Sequence, residues 1–180
     1  MRILGICGSP RKGNTEWMLR TVLDAATGGG ADCELLLLRQ ADVRACRGCL
    51  ACETRDETGR GACRIADDMQ GILPKLLVAD AIVLGTPGYM GLLSGLLKSF
   101  LDRTCPVWPA LQGKWIAGVA VAEEGVGAAL RNLRTYGDLL RMRWVGGVAA
   151  LAKLPKDASR QPTLRRRLER LGRRLAMSTG

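Results

Sequence analysis

Residues 2–15 read Arg2-Ile3-Leu4-Gly5-Ile6-Cys7-Gly8-Ser9-Pro10-Arg11-Lys12-Gly13-Asn14-Thr15, and they are the most informative part of the sequence. A short apolar run changes into a loop of glycine, serine, proline and basic residues, and a helical pattern follows. In α/β proteins such a strand–loop–helix unit surrounds an anion with backbone N–H groups and the positive end of the helix dipole. The sequence therefore predicts a phosphate pocket with donors from Ser9, Asn14 and Thr15 and a charge from Arg11. The alternative is an ordinary surface loop with a helix cap.

The loop differs from three well-known phosphate-binding motifs. Gly8 and Gly13 have the spacing of a P-loop, but Asn14-Thr15 follows where that motif has lysine. No register fits the G-x-G-x-x-G fingerprint of dinucleotide sites. Cys7 ends an apolar strand, where a buried structural cysteine is expected rather than a phosphatase nucleophile. What remains is a loop for a single phosphate monoester, the group that FMN carries.

Composition narrows the class of protein. The chain has 180 residues, of which 47% are hydrophobic, enough for one domain with a sizeable core. No apolar run has the length of a membrane span, and the first strand is too short for the core of a signal peptide. We therefore expect a cytoplasmic protein without membrane contact, whose seven cysteines indicate metal or redox chemistry. Histidine is absent, so catalysis has to come from carboxylates, thiols or a reactive cofactor.

Apolar runs alternate with helical patterns along the chain. The predicted strands are Arg2–Cys7, Cys33–Leu38, Ala81–Gly85, Trp115–Val121 and Val145–Leu151. The predicted helices are Thr15–Ala26, Asp67–Val78, Leu92–Arg103, Gly127–Leu140 and Leu164–Ala176. This alternation predicts an α/β three-layer sandwich with a five-stranded parallel sheet. We expect the flavodoxin-like order 2-1-3-4-5, in which the loops after strands one and three flank the crevice that binds FMN.

The loop after the third predicted strand reads Thr86-Pro87-Gly88-Tyr89-Met90-Gly91. A flavin ring needs a flat slot, close backbone approach and donors for its polar edge. Pro87, Gly88 and Gly91 permit close approach. Tyr89 and Met90 add an amphipathic ring and a polarizable thioether. We predict that these five residues hold the ring; the alternative is a simple turn.

Two segments together carry a family resemblance. They are Gly8-Ser9-Pro10-Arg11-Lys12-Gly13-Asn14-Thr15 and Thr86-Pro87-x-Tyr89-x-Gly91-x-x-Ser94-Gly95-x-Leu97-Lys98-x-Phe100-x-Asp102-Arg103. They resemble the NADPH-dependent FMN reductase group of flavodoxin-like proteins, and especially its iron-sulfur flavoproteins. The resemblance implies that FMN phosphate is bound by Ser9, Arg11, Asn14 and Thr15, with ring contacts from Pro87, Tyr89, Met90 and Gly91.

The resemblance has two further implications. The loop after the fourth strand usually touches the flavin in this family, and here it reads Ala122-Glu123-Glu124-Gly125-Val126-Gly127, which departs from the glycine-rich pattern. Family members usually assemble as homodimers or homotetramers. We therefore expect a homo-oligomer.

A second motif is the run Cys46-Arg47-Gly48-Cys49-Leu50-Ala51-Cys52, followed by Cys63. Two successive two-residue gaps place three thiols on one tight loop, which suits one face of a [4Fe–4S] cluster. Zinc sites more often use two separated C-x-x-C pairs. The cluster-bearing relatives have a shorter last gap than the ten residues here. The candidate ligands are therefore Cys46, Cys49, Cys52 and Cys63, and the alternative is a cysteine-bearing lid beside the flavin.

The remaining cysteines, Cys7, Cys33 and Cys105, lie at predicted strand or helix ends. Free cysteine behaves as a small hydrophobic residue in such places. We expect these three to be packing residues.

The net charge of +10 is concentrated near the end of the chain. Residues 153–180 hold nine basic side chains against Asp157 and Glu169. The leucines recur at helical spacing, at Leu164, Leu168, Leu171 and Leu175, which predicts an amphipathic helix with a basic outer face. We expect this helix to pack on the sheet; the sharper alternative is docking of an acidic redox partner. Nucleic-acid binding is not expected, because basic and aromatic residues do not interleave.

The sequence thus predicts a single domain over residues 1–180, with a cysteine-bearing insertion loop near residues 42–66 and a basic C-terminal helix. We expect a flavin oxidoreductase that passes electrons from NADPH, NADH or a ferredoxin-like donor through FMN to a small-molecule or protein acceptor. No catalytic side chain is predicted, because FMN carries the chemistry. The alternatives are an iron-sulfur flavoprotein electron carrier and a non-catalytic redox sensor that uses its cysteines.

Overall fold

The computed structural model describes residues 1–58 and 60–178. Its strands are β1 (Arg2–Cys7), β2 (Asp32–Leu37), β3 (Ala81–Tyr89), β4 (Leu92–Leu93), β5 (Trp115–Ala122) and β6 (Arg143–Leu151). Its α-helices are α1 (Asn14–Thr27), α2 (Met69–Val78), α3 (Gly95–Asp102), α4 (Trp108–Leu111), α5 (Val126–Leu139) and α6 (Pro162–Ala176).

The five long strands form one parallel sheet in the order β2-β1-β3-β5-β6. Counted without the two-residue β4, this is the predicted order 2-1-3-4-5, so the fold prediction is confirmed. Strands β1, β3 and β5 are almost wholly buried along their length. Their sequences are continuous apolar runs because helices cover both faces of a parallel sheet.

The hydrophobic core lies in two clusters, one on each face of the sheet. On one face α1 and α6 pack together, and the buried leucines of α6 are the four predicted from its spacing, Leu164, Leu168, Leu171 and Leu175. On the other face α2, α3 and α5 contribute buried side chains such as Met69, Phe100 and Leu133. The prediction that the basic helix packs against the protein with its arginines outward is therefore confirmed.

The predicted helix Leu92–Arg103 is wrong at its start. Leu92 and Leu93 pair antiparallel with Tyr89 and Gly88, and the helix begins at Gly95. The reason is a two-residue turn in which Met90 and Gly91 both have positive φ, 50° and 76°. Such turns match the twist of a β-hairpin.

Strand β3 also runs four residues beyond its predicted end at Gly85. Strand β1 ends opposite Gly85, while β5 continues to pair with β3 as far as Pro87. Pro87 therefore lies where β3 has no neighbour on the β1 side, and its missing N–H leaves no ladder bond unmade there. The predicted turn shifts to Met90–Gly91.

Residues 41–66, here named the cysteine loop, connect the short 3-10 helix Leu38–Gln40 to the start of α2. The described residues of this loop include the 3-10 turn Ala51–Glu53 and a bridge between Arg55 and Gly61. Among residues 1–58 and 60–178, no helix is both long enough and apolar enough to cross a membrane.

Candidate functional site

The loops at the carboxyl ends of β1, β3, β5 and β6 surround a cavity of about 190 Å³, here named the cofactor pocket. The fold places it at the edge of the sheet where ligands bind in this topology. Its walls come from four segments and consist of Ser9, Arg11, Lys12, Gly13, Asn14, Thr15, Pro87, Gly88, Tyr89, Val121, Ala122, Glu123, Ala152, Lys153 and Pro155.

The phosphate loop forms the first wall. The buried hydroxyl of Ser9 donates to the carbonyl of Arg11 (2.8 Å) and accepts from its N–H (3.3 Å), so Ser9 fixes the shape of the turn. The residue at the N-cap of helix α1 is Gly13, which has no side chain to accept a hydrogen bond from the first turn. The first-turn N–H groups of α1 and the hydroxyl of Thr15 are therefore donors at the pocket wall. These groups suit a phosphate.

Asn14 has a different role from the one predicted for its side chain. Its Nδ2 donates to the carbonyl of Leu154 (2.9 Å), and its Oδ1 accepts from the N–H of Ala158 (3.3 Å). The amide thus fastens the segment after β6 to the phosphate loop. Asn14 still lines the pocket, but both of these side-chain hydrogen bonds are made to protein backbone.

The β3–β4 hairpin forms the second wall. Pro87, Gly88 and Tyr89 line the pocket, as predicted for the flavin ring. Met90 and Gly91 do not line it, because they make the turn at the hairpin tip, where Met90 is 99% exposed. The structure therefore brings together three of the five residues that we assigned to the ring.

Two buried hydroxyl side chains set the hairpin against the phosphate loop. Ser94 caps α3 by accepting from Leu97 N–H (3.1 Å), and its hydroxyl donates to the carbonyl of Gly8 (2.6 Å). The hydroxyl of Thr86 accepts from Ser94 N–H (3.0 Å). Thr86 and Ser94 both belong to the second family motif, but the motif alone does not indicate this positioning role.

The loops after β5 and β6 form the remaining walls. Val121, Ala122 and Glu123 line the pocket, so the end of the fourth parallel strand and the loop after it reach the pocket wall. Lys153 reaches across from the β6 side and makes an ion pair with Glu123. The hydrogen bond that Lys153 donates to this carboxylate raises the pKa of Lys153 above its ordinary value. The sequence analysis did not assign Lys153 to the site. Its position two residues after β6 could have indicated it, because ligands bind at the carboxyl ends of the strands in this topology.

A buried ion pair holds the base of the cysteine loop. Arg103, the residue after α3, binds Asp67 through both guanidinium nitrogens, at 2.7 and 2.9 Å, and the two side chains are 1% and 0% exposed. Arg103 also donates to the carbonyl of Arg44 (2.8 Å). The hydrogen bond from Arg103 lowers the pKa of Asp67, while Asp67 raises that of Arg103.

The structure does not assemble the four predicted cluster ligands. Cys46 and Cys49 are exposed, and Cys52 and Cys63 are half-buried. Over residues 1–58 and 60–178, no group of three cysteine, histidine or carboxylate side chains is placed to hold a metal ion. Burial and the neighbouring Cys105 side chain raise the pKa of the Cys52 thiol to about 11. The four thiols are ligands of the kind that an iron-sulfur cluster requires. In the described structure they are not grouped closely enough to bind one.

A larger and mostly apolar cavity of about 850 Å³ lies on the far side of the hairpin, between α3 and α5. Leu92, Cys105, Trp108 and Tyr136 are among its lining residues. Burial raises the pKa of Tyr136 to about 12, so its hydroxyl stays protonated and shares a hydrogen bond with Thr104 (2.9 Å). We assign the cofactor to the smaller pocket because that pocket contains the phosphate loop.

The sheet order and the position of the pocket define a flavodoxin-like α/β protein. A solved flavone reductase structure has the same fold, with a TM-score of 0.80 and 20% identity over 99% of this chain and 62% of that one. At this identity the likeness concerns the fold alone.

The family model for NADPH-dependent FMN reductases matches residues 1–155, and the chain belongs to this family. Among its relatives are iron-sulfur flavoproteins of two archaea. That of Methanocaldococcus jannaschii is 38% identical over 123 residues, 68% of this chain and 61% of the relative. That of Methanosarcina thermophila is 37% identical over 146 residues, 79% of this chain and 74% of the relative. The chain therefore spans less than two thirds of the length of the first of them.

Family membership supports FMN as the predicted cofactor, and the pocket fits it. The uncapped first turn of α1 and Thr15 suit the phosphate, with Arg11 and Lys12 as nearby cations. Pro87, Gly88 and Tyr89 line the same pocket and are the residues that would contact the ring.

Proposed function

We propose that the chain is an FMN-dependent oxidoreductase that takes reducing equivalents from NADPH or NADH and delivers them to a second substrate. One observation carries this proposal: a phosphate loop and a tyrosine-bearing hairpin form walls of a single pocket in a member of the FMN reductase family. When bound, FMN supplies the hydride and single-electron chemistry. The residues around it then have to bind, orient and expose the cofactor.

The cations in the pocket wall favour an anionic group. Arg11, Lys12 and the start of α1 line the pocket and suit the dianionic phosphate. Lys153 also lines the pocket, where its ammonium group is paired with the carboxylate of Glu123. The pocket wall contains no histidine, and the chain has none. Proton transfer through an imidazole therefore has no part in the proposal.

Orientation comes from the hairpin. Tyr89 is the last residue of β3 and directly precedes the turn at Met90–Gly91, where both φ angles are positive. Pro87 and Gly88, the two residues before it, also line the pocket. An aromatic side chain beside close backbone gives a planar ring both a stacking partner and donors at its edge.

The first experiment measures FMN binding and turnover together. Purified protein is titrated with FMN by fluorescence, and oxidation of NADPH and of NADH is followed with ferricyanide or a quinone as acceptor. We expect saturable FMN binding and acceptor-dependent oxidation of at least one nucleotide. Binding of FMN without turnover under all conditions would favour the redox sensor instead, and failure to bind FMN would overturn the assignment of the pocket.

A matched pair of threonine variants tests the phosphate site. Thr15→Ala removes a donor at the pocket wall. We expect it to weaken FMN binding about tenfold, which corresponds to a loss of about 1.4 kcal/mol of binding free energy. Thr163→Ala changes an exposed threonine of α6 and serves as the control. Equal FMN affinities for the two variants would contradict the assignment.

An iron-sulfur centre is a second candidate. The motif Cys46-x-x-Cys49-x-x-Cys52 and the names of the relatives favour it. The cysteine loop would have to rearrange to bring its thiols together, since no such group is present in the described structure. Iron and acid-labile sulfide are therefore measured after anaerobic purification. Their presence in wild type and in Cys33→Ser, but not in Cys49→Ser, would support the centre, and their absence from wild type would exclude it.

The basic face of α6 is the candidate surface for an acidic electron-transfer partner such as a ferredoxin. Arg166, Arg170 and Arg173 are exposed on this helix, whereas its leucines are buried. Long-range attraction raises association rates and is weakened by salt. We expect partner-coupled reduction to slow as ionic strength rises and to slow further when these three arginines are replaced by glutamine. A rate independent of salt would contradict docking on this face.

A further inference from the structure

A buried carboxylate lies in the first turn of α1, next to the phosphate loop. Glu16 directly follows Thr15, which lines the cofactor pocket, and the side chain of Glu16 is only 5% exposed. The N–H of Trp17 donates to the carbonyl of Gly13 (3.1 Å), so the free N–H groups of this helix end belong to the residues before Trp17. A fixed negative charge thus shares the positive helix end that suits the phosphate.

Without compensation, the carboxylate of Glu16 would oppose a bound phosphate. Both groups are anions, and like charges repel more strongly where water is excluded. The carboxylate also interacts with the helix dipole that would otherwise act on the phosphate alone. A pocket whose wall includes the preceding residue therefore requires a neighbouring positive charge to offset Glu16.

Two arginines supply this compensation, one at each carboxylate oxygen. Arg20 donates from Nε (3.0 Å) and Nη2 (2.9 Å) to Oε1 of Glu16. Nη2 of Arg39 lies 2.9 Å from Oε2, which is a buried atom. Burial acts to raise the pKa of Glu16, but the hydrogen bonds from Arg20 and the charge of Arg39 outweigh it and lower that pKa. Two cations against one anion leave the cluster positive.

The two arginines differ in exposure. The side chain of Arg39 is 17% exposed, whereas that of Arg20 is 54% exposed. Ion pairs between exposed side chains contribute little, and an enclosed pair is screened less by water and salt. Arg39 is therefore the more effective counter-charge for Glu16.

The sheet brings Arg39 to this position. Strands β1 and β2 are parallel and end in register, with Cys7 opposite Leu37. Arg39 lies two residues beyond Leu37, in the 3-10 helix Leu38–Gln40. Ser9 of the phosphate loop lies two residues beyond Cys7 in the same way. The arginine and the phosphate loop thus follow neighbouring strands at the same edge of the sheet.

We propose that Arg39 is a positioning residue for the FMN phosphate: by neutralising Glu16, it leaves the positive end of α1 available to the phosphate. This inference rests on the proposed function, because it takes FMN as the ligand of the cofactor pocket. The effect of Arg39 should depend on the phosphate and not on the flavin ring. FMN and riboflavin differ only by the phosphate, so the ratio of their affinities isolates this effect.

The test titrates the full chain, freed of bound flavin, with FMN and with riboflavin, and follows binding by flavin fluorescence. Arg39→Ala should lower the affinity for FMN about tenfold, as expected for one charge near the phosphate, and leave the affinity for riboflavin unchanged. Arg39→Lys keeps the charge and should retain most of the preference for FMN. Lys75→Ala is the control, because it removes one positive charge from an ion pair with Glu34 that does not line the pocket.

A second substitution separates charge from structure. Glu16→Gln in the Arg39→Ala background removes the anion that Arg39 neutralises, and it should restore the wild-type ratio of affinities. The proposal is overturned if Arg39→Ala weakens FMN and riboflavin equally, if it weakens neither, or if Glu16→Gln restores nothing in that background. If Arg39→Ala does not fold, Glu16→Gln alone decides: it should raise the ratio of FMN to riboflavin affinity, and an unchanged or lower ratio overturns the proposal.

Failure of this inference can be distinguished from failure of the proposed function. If wild type prefers FMN to riboflavin and Arg39→Ala keeps the same preference, only the role of Arg39 is contradicted. If wild type binds FMN no more tightly than riboflavin, the phosphate site itself is contradicted, and the role of Arg39 with it.

Discussion

The cofactor pocket and the cysteine loop differ in what holds them. The pocket takes its walls from the ends of β1, β3, β5 and β6, which belong to one parallel sheet of paired strands. In its described residues the cysteine loop has a bridge between Arg55 and Gly61, and its base is held by the Arg103–Asp67 pair. The stabilisation of a sheet is distributed over many backbone hydrogen bonds. The stabilisation from a buried ion pair depends on two side chains, and removing one of them leaves a buried charge without a partner. The loop is therefore much easier to release by substitution than the pocket.

Breaking the buried ion pair should give the largest effect. Asp67→Ala leaves the Arg103 charge buried without its partner, and we expect the free energy of unfolding in urea to fall by about 3 to 5 kcal/mol. Asp102→Ala is the control, because Asp102 pairs with Lys98 on the surface and should change stability by less than about 1 kcal/mol. Equal losses in the two variants would show that Arg103–Asp67 does not hold the loop.

Acid should release the same contact in wild type. The pKa of Asp67 is lowered in the folded protein, so the ionised pair stabilises the fold above the ordinary aspartate pKa of about 3.9. This contribution is lost as pH falls through the lowered pKa. The stability difference between wild type and Asp67→Ala, measured in urea from pH 7 to pH 3, should therefore shrink toward low pH. A constant difference would contradict an ionised pair.

The tether at the pocket should give an intermediate effect. Asn14→Ala removes both hydrogen bonds to residues 154 and 158. We expect FMN affinity to fall about tenfold, since loss of one or two hydrogen bonds is worth about 1 to 2 kcal/mol. Hydrogen exchange should accelerate over residues 152–158. Asn132→Ala, on α5 at the other cavity, is the control and should change neither quantity.

The hairpin turn should give the smallest effect. Gly91 has a φ of 76°, so Gly91→Ala is expected to destabilise the fold by about 1 kcal/mol and to weaken FMN binding slightly. Gly95 also has open space around its Cα, but it lies at the start of α3 without positive φ. Gly95→Ala should therefore be neutral or stabilising in thermal unfolding. If both substitutions behave alike, backbone strain at the turn is not the cause.

The sheet and its order could be predicted because they depend on patterns within each segment. Strands such as Ala81–Gly85 are buried on both faces and appear as uninterrupted apolar runs. The phosphate loop was also visible, since Ser9 to Thr15 are neighbours in sequence. In contrast, Asn14 bonds to backbone 140 residues away, and no local pattern indicates such a partner.

The errors have the same origin. Met90 adopts a positive φ, which is uncommon for methionine, so the hairpin turn was not recognised and α3 was extended to Leu92. The ion pair of Arg103 with Asp67 and the hydrogen bond from the Gly61 N–H to the Pro106 carbonyl arise only when the loop folds back onto the residues at the end of α3. These contacts belong to tertiary packing, which periodicity and spacing do not report.

The two hydrogen bonds of Asn14 have a consequence for biosynthesis. The phosphate loop leaves the ribosome about 140 residues before its partners, so its tether to the carbonyl of Leu154 and the N–H of Ala158 cannot form until those residues emerge as well. The binding site is therefore completed only after residue 158 has been synthesised. Nascent chains that stop before residue 154 would carry the loop without the wall that closes it.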